Sequence, residues 1–258
     1  MNHRQPRLTL VGAGPGDPGL ITLKAIKMLQ TADVILYDAL ANATLLDHAP
    51  ATCLKIYVGK RAGGHSQQQY EINKMIVGYA KTMGHVVRLK GGDPYVFGRG
   101  HEELDYAQNQ GIPVSYVPGI SSATSVAGLS GIPLTKRGVN ESFWVITGTL
   151  KDGSLAKDLH LAAQSSATIV ILMGLKKIGE IVDMFQKQRG ADEPMAIIQN
   201  GSLESTKFLI NILGKVMDDP ALAFMSAPAI IIIGEVVNER REKLKADLYT
   251  QIVPAGIV

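Results

Sequence analysis

The sequence predicts an α/β protein of two domains, and three observations lead to this fold class. Short apolar runs rich in β-branched residues alternate with segments that read as helices, a pattern typical of sheets built from parallel strands. Many of these runs end directly in glycine-rich turns. The chain has 258 residues, a length that suits two domains better than one.

The first half of the chain carries five strand-like runs. Thr22 is in place to cap one helix, and Ser66 with Gln69 fits a capping box that begins another, which ends near Gly84. We predict strands at residues 8–11, 34–37, 54–58, 86–87 and 114–117, and helices at 23–30, 66–84 and 102–110.

Residues 131–138 are interpreted as the connection between the domains, because the strand pattern restarts after them. Some of the later strands are expected to be antiparallel, since the gaps between them are too short for a helix every time. We predict strands at 143–147, 168–173, 196–199, 207–212 and 229–237, and a helix at 176–189 closed by Gly190. The predicted domains are residues 7–136 and 137–247, followed by a tail at 248–258.

The composition argues against several classes of function. A net charge of +3 is too small to indicate a nucleic-acid partner, and Cys53 stands alone, so neither a disulfide framework nor a cysteine-rich metal site is expected. Residues 1–7 lack the apolar core of a signal peptide, and the longest apolar runs are too short to cross a bilayer. We therefore expect a cytoplasmic protein without a membrane partner.

The segment from Arg88 to Gly100 is the strongest candidate for a site. Gly91 and Gly92 let the main chain turn sharply and approach a ligand, and Pro94 restricts Asp93 before it. The loop follows a predicted strand, and open α/β sheets bind ligands at the carboxyl ends of their strands. An ordinary tight turn is the alternative, but this turn continues to Gly100.

Two other loops resemble known nucleotide or anion sites without matching them fully. Residues 12–19 are rich in glycine, but Asp17 occupies the sixth position of a dinucleotide fingerprint and Pro15 removes an amide donor. Asp38 ends the next strand, where it would bind a ribose in a nicotinamide enzyme, accept a proton from another ligand, or cap a helix. Lys60 and Arg61 lie among glycines and indicate contact with an anion, although solvated side chains remain the alternative.

Other chemical signatures are weak or missing. Gly119 to Ala123 nearly matches a hydrolase nucleophile elbow, but Ala123 replaces the last glycine. The sequence has no zincin motif, no C-x-x-C and no phosphate-binding P-loop. Metal-dependent chemistry and ATP hydrolysis are therefore not expected.

Taken together, these motifs resemble the uroporphyrinogen-III C-methyltransferase family of the tetrapyrrole methylase superfamily. The resemblance extends from about residue 7 to 237 and is carried by segments 10–16, 37–40, 58–63, 88–100, 117–121, 131–135 and 173–175. It implies two α/β domains with a cofactor cleft between them, usually in a homodimer. The implied reaction transfers two methyl groups from S-adenosylmethionine to ring carbons of uroporphyrinogen III, giving precorrin-2 and S-adenosylhomocysteine.

The resemblance also assigns roles to individual residues. It implies Asp38 as proton acceptor and Lys60 as proton donor, with Arg99 and Glu102 as the reserve for proton removal. Cations are suited to a substrate with eight carboxylates, and we expect them at Lys60, Arg61, Arg99 and Arg137. The implied cofactor contacts are Pro15, Gly91, Gly92, Asp93, Val96, Ser121, Ser122, Met173 and Gly201.

Some alternatives stay open at this point. Another superfamily member, such as a precorrin methyltransferase, shares the first glycine loop. A nicotinamide oxidoreductase and a non-catalytic tetrapyrrole or nucleotide sensor are further rivals. The downstream pathway (sirohaem, cobalamin or haem d1) is not decided by the sequence.

Overall fold

The computed structural model describes residues 5–59 and 69–240. The chain separates into two compact units, Met1–Ser121 and Ser122–Val258. Each unit contains a five-stranded sheet with helices, which confirms the predicted α/β class.

The first unit is built on a parallel sheet with the strand order β3-β2-β4-β1-β5. The chain that connects two parallel strands must return from the end of one strand to the start of the next, and it does so over a face of the sheet. Helices and loops therefore cover both faces. The strands are β1 (Arg7–Gly12), β2 (Val34–Tyr37), β3 (Leu54–Tyr57), β4 (His85–Lys90) and β5 (Val114–Val117). The α-helices are α1 (Leu23–Gln30), α2 (Gln69–Met83) and α3 (Gly100–Asn109), with short 3-10 helices at Pro18–Leu20 and Ala43–His48.

Alternate residues of the central strands belong to two separate apolar cores, one on each face of the sheet. Leu8 and Leu10 of β1 belong to the cluster that α2 and α3 cover, whereas Val11 belongs to the cluster that α1 covers. This follows from the two-residue period of a strand. Because both faces are covered, even the charged residues of β4 are buried.

The second unit has a mixed sheet with the order β6-β7-β10-β8-β9. Strand β10 enters between β7 and β8 and runs antiparallel to both, and β8 runs antiparallel to β9, which confirms the expected antiparallel pairing. The strands are β6 (Phe143–Thr147), β7 (Thr168–Leu172), β8 (Pro194–Gln199), β9 (Lys207–Ile212) and β10 (Ala229–Ile233). The α-helices are α4 (Ser122–Leu129), α5 (Asp158–Gln164), α6 (Ile178–Arg189) and α7 (Leu213–Val216), with 3-10 helices at Leu175–Lys177, Pro220–Phe224 and Glu235–Val237.

Several predicted ends of strands and helices differ from the structure, and the largest difference is in the last strand. The strand expected at 229–237 ends at Ile233, because Gly234 adopts a φ of +148° and the chain continues as a 3-10 helix. The packing division falls after Ser121, ahead of the predicted boundary at 136–137. Helix α4 joins the second unit because Val126 and Ala127 share an apolar cluster with β8 and β10.

Within residues 5–59 and 69–240, no helix is long and apolar enough to cross a bilayer. The same residues contain no group of histidine, cysteine and acidic side chains arranged to hold a metal ion.

Candidate active site

Three glycines form a close-packed corner at the carboxyl edge of the first sheet. A β-carbon added to Gly12 would stand 2.4 Å from Cα of Gly119 and 2.7 Å from the carbonyl oxygen of Gly92. A β-carbon on Gly119 would stand 2.2 Å from that same oxygen. The loops that follow β1, β4 and β5 therefore meet through bare main chain, which only glycine permits.

Main-chain hydrogen bonds hold this glycine corner together. The amide of Gly92 donates to the carbonyl of Gly14 at 2.7 Å, and the amide of Ala13 donates to the carbonyl of Lys90 at 2.8 Å. Pro15, predicted to contact the cofactor, follows directly after this bridge. The loop after β1 and the loop after β4 are thus hydrogen-bonded to each other, although they are far apart in sequence.

The loop after β4 presents its main chain to open space. Gly92 has a φ of +65°, and no atom lies within 4 Å of the place where its β-carbon would be. Phe97 and Arg99 also have positive φ values, 54° and 57°, which ordinary side chains adopt rarely. The open space at Gly92 would let a ligand approach the backbone closely, whereas a β-carbon on Gly91 would stand 2.4 Å from Cβ of Leu40. The cofactor contacts expected at Gly91 and Gly92 remain predictions.

The carboxylate of Asp93 fastens this loop to β5. It is buried, and it accepts hydrogen bonds from the Tyr116 hydroxyl at 2.6 Å, the Gly119 amide at 3.1 Å and the Tyr95 amide at 2.8 Å. Burial, followed by the bond to Asp93, raises the pKa of Tyr116 well above its usual range. Asp93 therefore shapes the loop, and its direct contact with a cofactor remains a prediction.

Asp38 lies at the same edge, directly after β2. Its side chain is 24 % exposed, and its Oδ2 accepts a hydrogen bond from Nη2 of Arg88 at 3.1 Å. Oδ1 accepts the amide of Leu40 at 3.1 Å. The carboxylate is therefore fixed in orientation while part of it stays accessible, as a proton acceptor requires.

Behind Asp38 lies a buried ionic cluster that the sequence interpretation missed. Arg88 and Lys90 of β4 both contact Oε1 of Glu103, at 3.2 and 3.1 Å, and all three residues are buried. Burial is the main cause that lowers the pKa of Lys90, the neighbouring Arg88 lowers it further, and Glu103 opposes both. Two charges at alternate positions of a central strand point to one face, and that spacing is the signal that could have revealed the cluster.

Arg99 and Glu102 form an exposed pair at the start of α3. Nη2 of Arg99 donates to Glu102 at 2.6 Å and Nε donates at 2.8 Å, while both side chains remain more than half exposed. The bond to Glu102 is the main cause that raises the pKa of Arg99. A guanidinium so placed can also meet an acidic ligand, and the expected role of this pair in proton removal stays a prediction.

Two predicted residues of the second unit, Met173 and Gly201, follow strands of its sheet. Met173 follows β7 with a φ of +56° and a half-exposed side chain, and its carbonyl accepts the Thr149 hydroxyl. Gly201 follows β8, and a β-carbon there would stand 2.3 Å from a methyl group of Val126. Packing against α4 is therefore enough to require glycine at this position.

For the remaining predicted site residues, the structure gives only their position and exposure. Val96 is exposed in the loop before α3, Ser121 and Ser122 lie where α4 begins, and Arg137 is exposed between α4 and β6. Lys60 and Arg61 lie outside the described residues, so their predicted roles are not tested.

The comparison with known families decides the classification. Residues 7–216 match the family described as Tetrapyrrole (Corrin/Porphyrin) Methylases. This chain belongs to the tetrapyrrole methylases.

Individual members of the family are close in sequence. The chain is 43 % identical over 234 residues to the uroporphyrinogen-III C-methyltransferase of Methanocaldococcus jannaschii, covering 90 % of this chain and 97 % of that protein. It is also 45 % identical over 237 residues to the siroheme synthase of Actinobacillus pleuropneumoniae serotype 7, covering 91 % of this chain but 48 % of that protein. The chain therefore spans about half the length of the siroheme synthase.

A solved structure of a methyltransferase is also similar to this chain. The uroporphyrin-III C-methyltransferase of Thermus thermophilus, crystallised with S-adenosylhomocysteine, superposes with a TM-score of 0.77 at 39 % identity. The match covers 90 % of this chain and 99 % of that one. The tetrapyrrole methylase fold expected from the sequence is thus confirmed.

Proposed function

We propose that this chain transfers methyl groups from S-adenosylmethionine to two ring carbons of uroporphyrinogen III, which gives precorrin-2. The similarity to uroporphyrinogen-III C-methyltransferases over nearly their whole length carries this proposal. The geometry agrees with it, because the glycine corner, the bare loop at Gly92 and the carboxylate of Asp38 share one edge of the first sheet.

The chemistry needs little from the protein beyond positioning and one proton acceptor. When bound, S-adenosylmethionine supplies a methyl group that its positively charged sulfur already activates. The methylated macrocycle takes over that positive charge and regains its former charge by losing a proton. In this proposal the carboxylate of Asp38 receives the proton, and the pair of Arg99 and Glu102 is the reserve.

The cofactor would rest on the backbone of the glycine loops. Gly92 would admit it because the space at its β-carbon position is open, Gly91 would contribute main-chain contacts beside Leu40, and Asp93 would hold the loop through Tyr116. Pro15, Val96, Ser121, Ser122, Met173 and Gly201 complete the proposed cofactor contacts. Lys60, Arg61, Arg99 and Arg137 are the proposed partners of the substrate carboxylates, because guanidinium and ammonium groups pair well with them.

Turnover of uroporphyrinogen III tests the proposal directly. The purified protein is incubated with S-adenosylmethionine and uroporphyrinogen III without oxygen, and mass spectrometry follows the product. We expect a mass gain of two CH₂ units that depends on the methyl donor. Binding of S-adenosylhomocysteine without any turnover would instead indicate another tetrapyrrole substrate, such as a precorrin.

Single variants then test the assigned residues. Asp38→Asn and Arg99→Gln should lower kcat by roughly 100-fold, the scale of one acid–base contribution, while S-adenosylhomocysteine binds as before. Lys74→Gln is the matched control, since Lys74 lies on the exposed face of α2 and pairs with Glu71. Equal loss of binding and turnover would assign Asp38 and Arg99 to the cofactor or to folding.

We also propose that the protein acts as a homodimer in the cytoplasm. Light scattering of the purified protein measures its mass in solution, and a monomeric mass at working concentration would contradict the dimer. Fractionation of cells that express the protein tests the location.

A further inference from the structure

Asp38 is held from two sides, and the two contacts differ in kind. Oδ1 accepts a hydrogen bond from the backbone amide of Leu40, two residues on in the same turn. Oδ2 accepts a hydrogen bond from Arg88, which lies on the neighbouring strand β4. The turn alone leaves the carboxylate free to rotate, so the second contact decides where Oδ2 points.

Arg88 has almost no freedom of its own. It is 3 % exposed, and its Nη1 donates to the carbonyls of Leu36 at 3.3 Å and Leu89 at 2.9 Å. Its Nε donates to Glu103 at 3.2 Å, which leaves Nη2 for Asp38. The planar guanidinium thus joins two carboxylates and two backbone carbonyls, a geometry that lysine cannot reproduce.

Glu103 is the centre of the cluster. Its side chain is 0 % exposed, and its Oε1 accepts hydrogen bonds from Arg88, Lys90 and Gln69, the last at 2.9 Å. Oε2 is buried and makes no hydrogen bond within residues 5–59 and 69–240. Two cations and two anions balance, counting Asp38, so the cluster is neutral only while every member stays in place.

A cluster of this kind is a poor way to stabilise a fold. Desolvation of buried ions offsets much of their attraction, and apolar residues of similar volume often serve stability as well. Its outer end, however, is the Asp38 carboxylate, which is the proton acceptor in the proposed function. We propose that Arg88 and Glu103 are positioning residues that aim the Asp38 carboxylate at the substrate. This inference rests on the proposed function.

Kinetics of two conservative variants test the proposal. Glu103→Gln keeps the shape but removes the charge, and Arg88→Lys keeps the charge but removes the planar fork. Each should lower kcat on the order of tenfold, within the coupling range of residues that share one network. The KM for S-adenosylmethionine and the affinity for S-adenosylhomocysteine should stay near the wild-type values. The melting temperature should fall for Glu103→Gln, because Arg88 and Lys90 lose their buried counter-charge, so all rates are measured below the melting temperature of each variant. Asp105→Asn, an exposed acid on the same helix, is the matched control and should leave the rate unchanged.

A double-mutant cycle with Asp38→Glu separates positioning from a general structural role. This variant keeps a carboxylate in a displaced position. If Glu103 acts through Asp38, adding Glu103→Gln to Asp38→Glu costs far less than the tenfold seen alone. Fully additive losses, an unchanged kcat, or an equal loss of cofactor affinity would overturn the proposal.

Failure of a variant to fold, and absence of turnover by the wild type, also decide between the proposals. If Glu103→Gln does not fold, Arg88→Lys takes its place in the cycle. If neither variant folds, the cluster is structural and the proposal is wrong. A wild-type protein without turnover of uroporphyrinogen III would refute the proposed function itself, whereas an active wild type with additive variants would refute the positioning role alone.

Discussion

Gly12→Ala is the sharpest test of the glycine corner. The new methyl carbon would stand 2.4 Å from Cα and N of Gly119, whereas ordinary contacts begin at 3.4 Å, so the two loops must separate by about 1 Å. Overpacking typically costs about 1–3 kcal/mol. Here backbone atoms oppose the methyl group and no flexible side chain can yield, so we expect the upper end, about 3 kcal/mol.

The assay is thermal unfolding combined with ligand titration. For chains of this size each kcal/mol lowers the melting temperature by roughly 2–4 °C, so a fall of about 6–12 °C is expected. Calorimetric titration should also show weaker binding of S-adenosylhomocysteine, because Gly92 moves together with Gly12. Gly78→Ala is the control: it lies within α2 with nothing inside 4 Å of its β-carbon position, and should gain about 0.5–1 kcal/mol.

A Gly12→Ala protein with wild-type melting temperature and wild-type affinity would refute this reasoning. It would mean that the loops after β1 and β5 can move apart freely, so the corner would not be a rigid part of the site. Destabilisation by Gly78→Ala of the same size would show that the loss at Gly12 reflects no special packing.

Three further substitutions test other contacts. Tyr116→Phe removes the hydroxyl that donates to Asp93 and should cost about 1.5 kcal/mol in urea unfolding, and an unchanged midpoint would contradict the fastening role. Burial lowers the pKa of His85 below its ordinary 6.5, and the nearby Arg7 lowers it further, so the unfolded chain binds the proton first as pH falls. Stability should therefore decline as the pH falls below about 6.5, and His85→Gln should flatten that decline; equal slopes would exclude His85 as the cause. Thr22→Ala removes the cap of α1, where the hydroxyl accepts the Ala25 amide, and should cost about 1 kcal/mol in the same urea assay, whereas no loss would mean that the helix end is satisfied otherwise.

The sequence predicted the first sheet well because each of its strands carries its own local signal. The apolar runs of β1 and β2 are nearly continuous, as expected for strands buried on both faces, and glycine-containing loops follow β1, β3, β4 and β5. Parallel strands bring those loops to one edge, so Gly12, Asp38 and Gly92 could be placed together before their geometry was known.

The ionic cluster could not be predicted in the same way. Glu103 sits in the first turn of a helix rich in charged residues, where an acid is normally solvated and favourable. Its burial depends on α2 packing against β4 and on α3 packing against α2, β1 and β5, which is a property of the tertiary fold. Gly201 is a related case, since its need for glycine arises from Val126 on a distant helix.

Because of strand β10, the sheets of the two units can form at different stages of translation. All five strands of the first sheet have been translated by residue 117, so that sheet can assemble while later residues are still being added. The second sheet must wait for residue 233, because one of its last-made segments occupies its middle position. A nascent chain stopped before residue 229 would therefore leave β7 and β8 without their shared neighbour, an exposed pair of edges prone to aggregation.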